Sequence, residues 1–213
     1  MDKAETSRQA EDLSDYAPLL ARLHLEAGIP HTPNWSAAAD FLQIIVDHCL
    51  ETKPVSLLEC SCGLTTLMLA RCCQLNAQGH VVSLEDGAAF ASKIQADLKR
   101  YGLTTYASVA HAPLRQTLLE GVVYAWYDPK VIPDIPIDML VIDGPSGFLQ
   151  KNARYPALPM LHSRLADGAR VFLDDAARAD EREIVHLWQT RYPELEVEYV
   201  EASRGCAVLT IHK

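Results

Sequence analysis

The chain has 213 residues, nearly half of them apolar and about a fifth charged, with a formal net charge of −9. That length sustains one well-buried core and is short for two domains. No run of about twenty uncharged apolar residues occurs, so no membrane span is expected. The negative net charge and scattered Lys and Arg argue against a nucleic-acid partner and favour a small-molecule one.

The stretch from Met1 to Tyr16 is polar and acidic. It has neither the basic nor the apolar region of a secretory signal, so a cytoplasmic location is expected. Leu13, Tyr16, Leu19, Leu20 and Leu23 recur at helical spacing and predict an amphipathic helix over residues 11–27. The breakers from Gly28 to Pro33 end it, dividing an N-terminal helical extension (residues 1–33) from a main domain (residues 34–213). Ser36 is the expected N-cap of a second helix, with Phe41, Ile44, Ile45 and Cys49 on one face and its end before Pro54.

From Val55 onward short apolar runs alternate with helical ones. Strands are expected at 55–59, 80–85, 106–110, 137–143, 169–173, 197–200 and 206–211, with an additional one at 122–127 before a proline-rich loop. Helices are expected over 64–75, around Phe90, Ile94 and Leu98, before the turn at Leu165–Gly168, and around Ile184, Val185 and Trp188. Continuous apolar strands interleaved with helices imply an α/β fold: a doubly wound, Rossmann-like, mostly parallel seven-stranded sheet with helices on both faces. In such sheets ligands bind beyond the carboxyl ends of the strands, where the strand order reverses.

The strand ends are therefore where chemistry is expected. The first runs into Glu59-Cys60-Ser61-Cys62-Gly63-Leu64-Thr65-Thr66, a turn of small residues that lets a ligand approach a helix N-terminus. Ser61, Gly63 and Thr66 stand where a nicotinamide fingerprint has three glycines, which argues against NAD. The second strand ends at Glu85-Asp86, about twenty residues past Gly63, where an acid is placed to accept ribose hydroxyls. Two later strands end at Asp143 and at Asp174-Asp175. Three converging carboxylates repel unless a cation neutralises them, and hard oxygens suit Mg²⁺, Mn²⁺ or Ca²⁺. Without a metal, Asp174 or Asp175 is the expected base. Cys49, Cys60, Cys62, Cys72, Cys73 and Cys206 lack paired C-x-x-C spacing and read as reduced packing residues.

These motifs together resemble the class I S-adenosylmethionine-dependent methyltransferases over residues 34–213. Glu59, Ser61 and Gly63 match that family's E-x-G-x-G turn, with Ser61 replacing the first glycine. Ala110-His111-Ala112-Pro113-Leu114 falls where the family has its adenine loop. Ile142-Asp143-Gly144-Pro145 is similar to the "VDGP" of small bacterial members. The resemblance implies S-adenosylmethionine held by Glu59, Ser61, Cys62, Gly63, Thr66, Glu85, Asp86, Ala112 and Asp143. In the catechol O-methyltransferase-like branch the strand-end aspartates hold a divalent metal, which here implies Asp143, Asp174 and Asp175 as ligands of Mg²⁺ or another hard cation. That branch also has a lysine base soon after its first aspartate. Here Gly144-Pro145-Ser146 follows instead, and Lys151 is the nearest lysine.

The expected activity is thus O-methylation of a small-molecule acceptor. An NAD-dependent oxidoreductase, an aminopropyl transferase and a catalytically inactive binding module are the competing readings. His111 is read as a loop or packing residue rather than a base. Trp35, Tyr124, Trp126 and Tyr127 are read as packing aromatics, with an acceptor pocket as the alternative. For Arg154 and Tyr155 acceptor binding and loop anchoring stay equally open, and a homodimer is one option for assembly.

Overall fold

The computed structural model describes residues 13–25, 29–32 and 35–213. A 3-10 turn (Leu13–Tyr16) leads into α1 (Ala17–Arg22), followed by α2 (Ala39–Thr52), β1 (Ser56–Cys60), α3 (Leu64–Asn76), β2 (His80–Glu85), α4 (Ala88–Arg100) and β3 (Ala107–His111). Then come β4 (Leu114–Leu119), β5 (Val122–Tyr127), β6 (Ile137–Ile142), α5 (Ala157–Leu161), β7 (Leu165–Asp174), α6 (Ala179–Arg191), β8 (Glu196–Val200) and β9 (Cys206–Thr210).

Seven strands form one sheet in the order β3-β2-β1-β6-β7-β9-β8. The first five in that order run parallel, while β9 lies antiparallel between β7 and β8. Side chains alternate across each strand, so successive residues enter different cores. Leu57, Met139 and Val141 join α2, α3 and α4 on one face. Leu58, Leu140 and Ile142 join α5 and α6 on the other. This is the doubly wound, Rossmann-like arrangement expected. Both faces of the central strands are buried, which is why they read as continuous apolar runs.

Four local expectations are corrected. The first helix is short: α1 ends in a Schellman arrangement, with His24 left-handed (φ 49°) and Leu25 N–H bonded to Leu20 O at 2.9 Å. The predicted stretches 11–12 and 26–27 lie outside the described residues. Ser36 does not cap α2; Ala38 holds that position, and Ser36 Oγ accepts from Thr32 N at 2.9 Å. Leu114, expected at the end of the adenine loop, instead begins β4 (Leu114–Leu119), which no expectation covered and which pairs antiparallel with β5 outside the main sheet. Its turn residues Glu120 and Gly121 both have positive φ (51° and 84°), as a tight hairpin requires. The expected turn at Leu165–Gly168 instead belongs to β7, absorbed as an irregularity in its pairing with β6.

The N-terminal segment packs on the α2–α3 side. Tyr16, Leu19 and Leu23 are buried in the same core as Phe41 and Leu67, and Tyr16 Oη donates to Ala37 O at 3.0 Å. Among the described residues no helix is long and apolar enough to cross a membrane.

Candidate functional site

Strand order reverses between β1 and β6: β2 and β3 lie to one side, β7 and β9 to the other. The chain leaves both strands at this crevice, and a cavity of about 350 Å³ opens there. Its wall has two parts, one built on β1 and β2 and the other on β6 and β7.

The first part is a turn held by neutral hydrogen bonds. Gly63 N–H donates to Thr66 Oγ1 (3.0 Å), whose hydroxyl donates to the Glu59 carboxylate (2.6 Å). Ser83 Oγ donates to the same Glu59 oxygen. Burial raises the Glu59 pKa to about 8, even though these donors pull it down. Ser61 takes φ 89°, a left-handed conformation that costs a residue with a Cβ and that the glycine of the family motif adopts freely. A Cβ placed on Gly63 meets nothing within 4 Å, so that turn leaves open space at the cavity. Next to it, Glu85 accepts from Gly87 N–H at 2.9 Å and from Cys62 Sγ–H at 3.4 Å, and burial again raises its pKa.

The second part begins at Gly144, which must be glycine. An added Cβ would lie 2.6 Å from Tyr127 Oη and 2.8 Å from Ser61 Cβ. Beside it Asp143, Asp174 and Asp175 each bring a carboxylate oxygen within 4.8 Å of the others. Arg154, buried at 3 % exposure, enters from the loop before α5. Its Nη2 donates to Asp143 O (2.6 Å), Asp143 Oδ1 (3.2 Å) and Asp175 Oδ2 (3.0 Å). Its Nη1 donates to Asp174 O at 3.0 Å and faces Glu181 at 3.6 Å. Arg178 Nη1 adds a 2.7 Å contact to Asp175 Oδ2. Arg204 faces Asp174 Oδ2 at 3.9 Å and Asp175 Oδ1 at 4.0 Å. Asp174 is the innermost acid, and burial together with its neighbouring aspartates raises its pKa.

Against known proteins, residues 58–176, more than half of the chain, match the family described as methyltransferase domain. The chain belongs to that family. The match begins inside β1 and ends just past Asp175, so it spans both parts of the cavity wall. A nicotinamide dehydrogenase, weighed from the turn alone, is set aside by it. No curated protein matches the sequence.

Solved structures share the fold over nearly the whole chain. An O-methyltransferase from Bacillus cereus, in complex with SAH, is 16 % identical with a TM-score of 0.61, over 97 % of this chain and 94 % of that one. Cofactor-bound Rv0187 from MTB is 20 % identical with a TM-score of 0.63, over 97 % and 94 %. TomG from Streptomyces achromogenes, an O-methyltransferase in complex with SAM, is 13 % identical with a TM-score of 0.60, over 98 % and 94 %.

In this methyltransferase-family fold the residues singled out from sequence fall into two groups. Glu59, Ser61, Cys62, Gly63, Glu85, Asp86, Asp143 and Asp175 line the cavity together. Thr66 and Asp174 stand one layer behind, bracing Glu59 and Asp175. Ala112 is fully buried and donates its N–H to Glu85 O at 2.7 Å, so it backs the cavity rather than lining it. Lys151 is a correction. It is exposed and pairs with Glu183 at 2.8 Å outside the cavity lining.

His111 is the exposed last residue of β3, in register with Glu85 rather than on a loop, and its ring contacts Asp86 O at 3.2 Å. Of the four aromatics, Trp35 and Tyr127 line the cavity, while Tyr124 and Trp126 pack in the core. All six cysteines are free and buried. Sequence reasoning missed Phe90, Phe148, Arg178 and Arg204 at the wall. The arginines had a signal, since three converging acids need a cation from somewhere, but nothing in their spacing told which.

Proposed function

We propose that the chain is an S-adenosylmethionine-dependent methyltransferase that methylates a hydroxyl oxygen of a small molecule. The observation that carries this reading is the cavity at the strand-order reversal, where the open turn at Gly63, the buried Glu85 and the part-exposed Asp143 meet. The cofactors named for the SAH- and SAM-bound neighbours of the same fold support it.

When bound, the cofactor supplies a methyl group on a positively charged sulfur, and the S–C electron pair returns to sulfur as the new O–C bond forms. Everything else falls to the chain. Glu85 accepts the ribose hydroxyls, and Asp86 and Phe90 flank it on the cavity wall. Glu59, Ser61, Cys62 and Gly63 shape the turn for the methionine end. Asp143, the most exposed acid of its cluster although Arg154 pairs with its Oδ1, takes the acceptor proton at its carboxylate in place of the expected Asp174 or Asp175, which are buried, with Asp175 held by both Arg154 and Arg178. Trp35 and Phe148 at the rim limit water entry and give an aromatic acceptor a surface to pack on. Pro30 and Thr32 reach the wall, which supports reading residues 1–33 as an extension that helps close the site of the 34–213 domain.

The test is transfer of isotope-labelled methyl from S-adenosylmethionine to a panel of hydroxylated small molecules, with products identified by mass spectrometry. Methyl ethers formed by wild type and lost in Asp143→Asn are the expected result. Label appearing only on amines would overturn the oxygen assignment.

A further inference from the structure

The three aspartates at the ends of β6 and β7 are the residues that a divalent cation would use, and their surroundings do not fit one. Bridging two carboxylates, a hard cation sits within about 2–2.6 Å of each oxygen and keeps further positions for water or acceptor. Here the bridging position between Asp143 and Asp175 is filled by Arg154 Nη2, in hydrogen-bond contact with both carboxylates at 3.2 and 3.0 Å. That guanidinium cannot swing aside cheaply. It is buried, its other terminal nitrogen is tied to Asp174 O, and Glu181 lies behind it. Two buried carboxylate oxygens without hydrogen bonds, Asp174 Oδ2 and Asp175 Oδ1, are faced by Arg204 at 3.9 and 4.0 Å. Each aspartate therefore already looks onto a fixed positive charge. A divalent ion added among them would meet the repulsion of Arg154, Arg178 and Arg204 at close range.

We infer that Arg154 stands permanently in the place of the divalent cation, making this a metal-independent methyltransferase site. The inference deepens the functional reading above and rests on it for the word methyltransferase. Both terminal nitrogens of Arg154 are spent on protein oxygens, so Arg154 itself fills the cation's place without offering an open coordination position to the acceptor.

The test uses the full-length chain and Mn²⁺ as probe, with the free-ion electron paramagnetic resonance signal as readout. Wild type is expected to leave that signal unchanged at millimolar Mn²⁺. Arg154→Met, which removes the charge but keeps a long apolar side chain, is expected to gain one Mn²⁺ per chain, with at least tenfold tighter binding. A folded Arg154→Met protein that binds no manganese would overturn the inference. So would wild type binding one Mn²⁺ that Asp143→Asn removes, a comparison that stands even if Arg154→Met does not fold. Titration of S-adenosylhomocysteine into the same wild-type sample separates the two readings. Cofactor binding together with tight Mn²⁺ binding defeats only the cation claim, and no cofactor binding defeats the methyltransferase reading itself.

Discussion

The acids of the β1–β2 wall and those of the β6–β7 wall lie on one cavity and are treated in opposite ways. Glu59 and Glu85 are held by neutral donors: two hydroxyls, a backbone N–H and a thiol. Asp143, Asp174 and Asp175 are met by three guanidinium groups. Burial alone penalises a carboxylate, and neutral donors recover only part of the cost. The first wall is thus prepared for a ligand that brings hydroxyls or positive charge. The second has its counter-charge built in and needs none from outside. Two acidic clusters that look alike in sequence differ in function because of where the arginines stand.

The largest expected effect comes from breaking the second wall. Arg154→Met leaves buried carboxylates uncompensated and is expected to lower unfolding stability by about 3–5 kcal/mol, measured by urea denaturation. The first wall responds to pH instead. The Glu59 pKa is raised in the folded state, from 4.5 to about 8. Its contribution to stability is therefore full below pH 4.5 and is lost as pH rises through about 8. Glu59→Gln does not titrate. Wild type should lose stability relative to that variant across this window, read from paired denaturation curves. Parallel curves at the two ends of the window would break the comparison.

Smaller effects sharpen it. Glu85→Ala is expected to weaken S-adenosylhomocysteine binding about tenfold, as for a lost hydrogen bond to a charged acceptor, with little change in unfolding midpoint. Ser61→Gly relieves the left-handed backbone at φ 89° and is expected to raise stability by about 0.5 kcal/mol. A loss of stability there would mean that the Ser61 side chain contributes more than its backbone costs.

Most of the fold was legible because the central strands are buried on both faces and flanked by helical periods. β2 and β5 have the bounds that the sequence predicts. The hairpin strand β4 was not legible: Leu114–Leu119 has exposed and half-buried positions without clean alternation, and its Glu-Gly turn lacks the strongest hairpin signal. At the site, Glu59, Ser61, Gly63, Glu85 and Asp143 were legible because strand ends at a reversal of order converge. Lys151 misled because closeness in sequence to Asp143 says nothing about which way the following loop turns. Arg154, Arg178 and Arg204 lie on three separate segments, and only the folded chain brings their charges to one acidic cluster. Phe148 and Trp35 sit on loops whose path no periodicity encodes.

Calorimetric titration of the purified chain with S-adenosylhomocysteine tests the central claim most directly. The account predicts saturable binding at one site per chain with micromolar affinity, unchanged by a chelator. A flat titration would contradict it, leaving the methyltransferase-family fold in place without the cofactor chemistry assigned to its cavity.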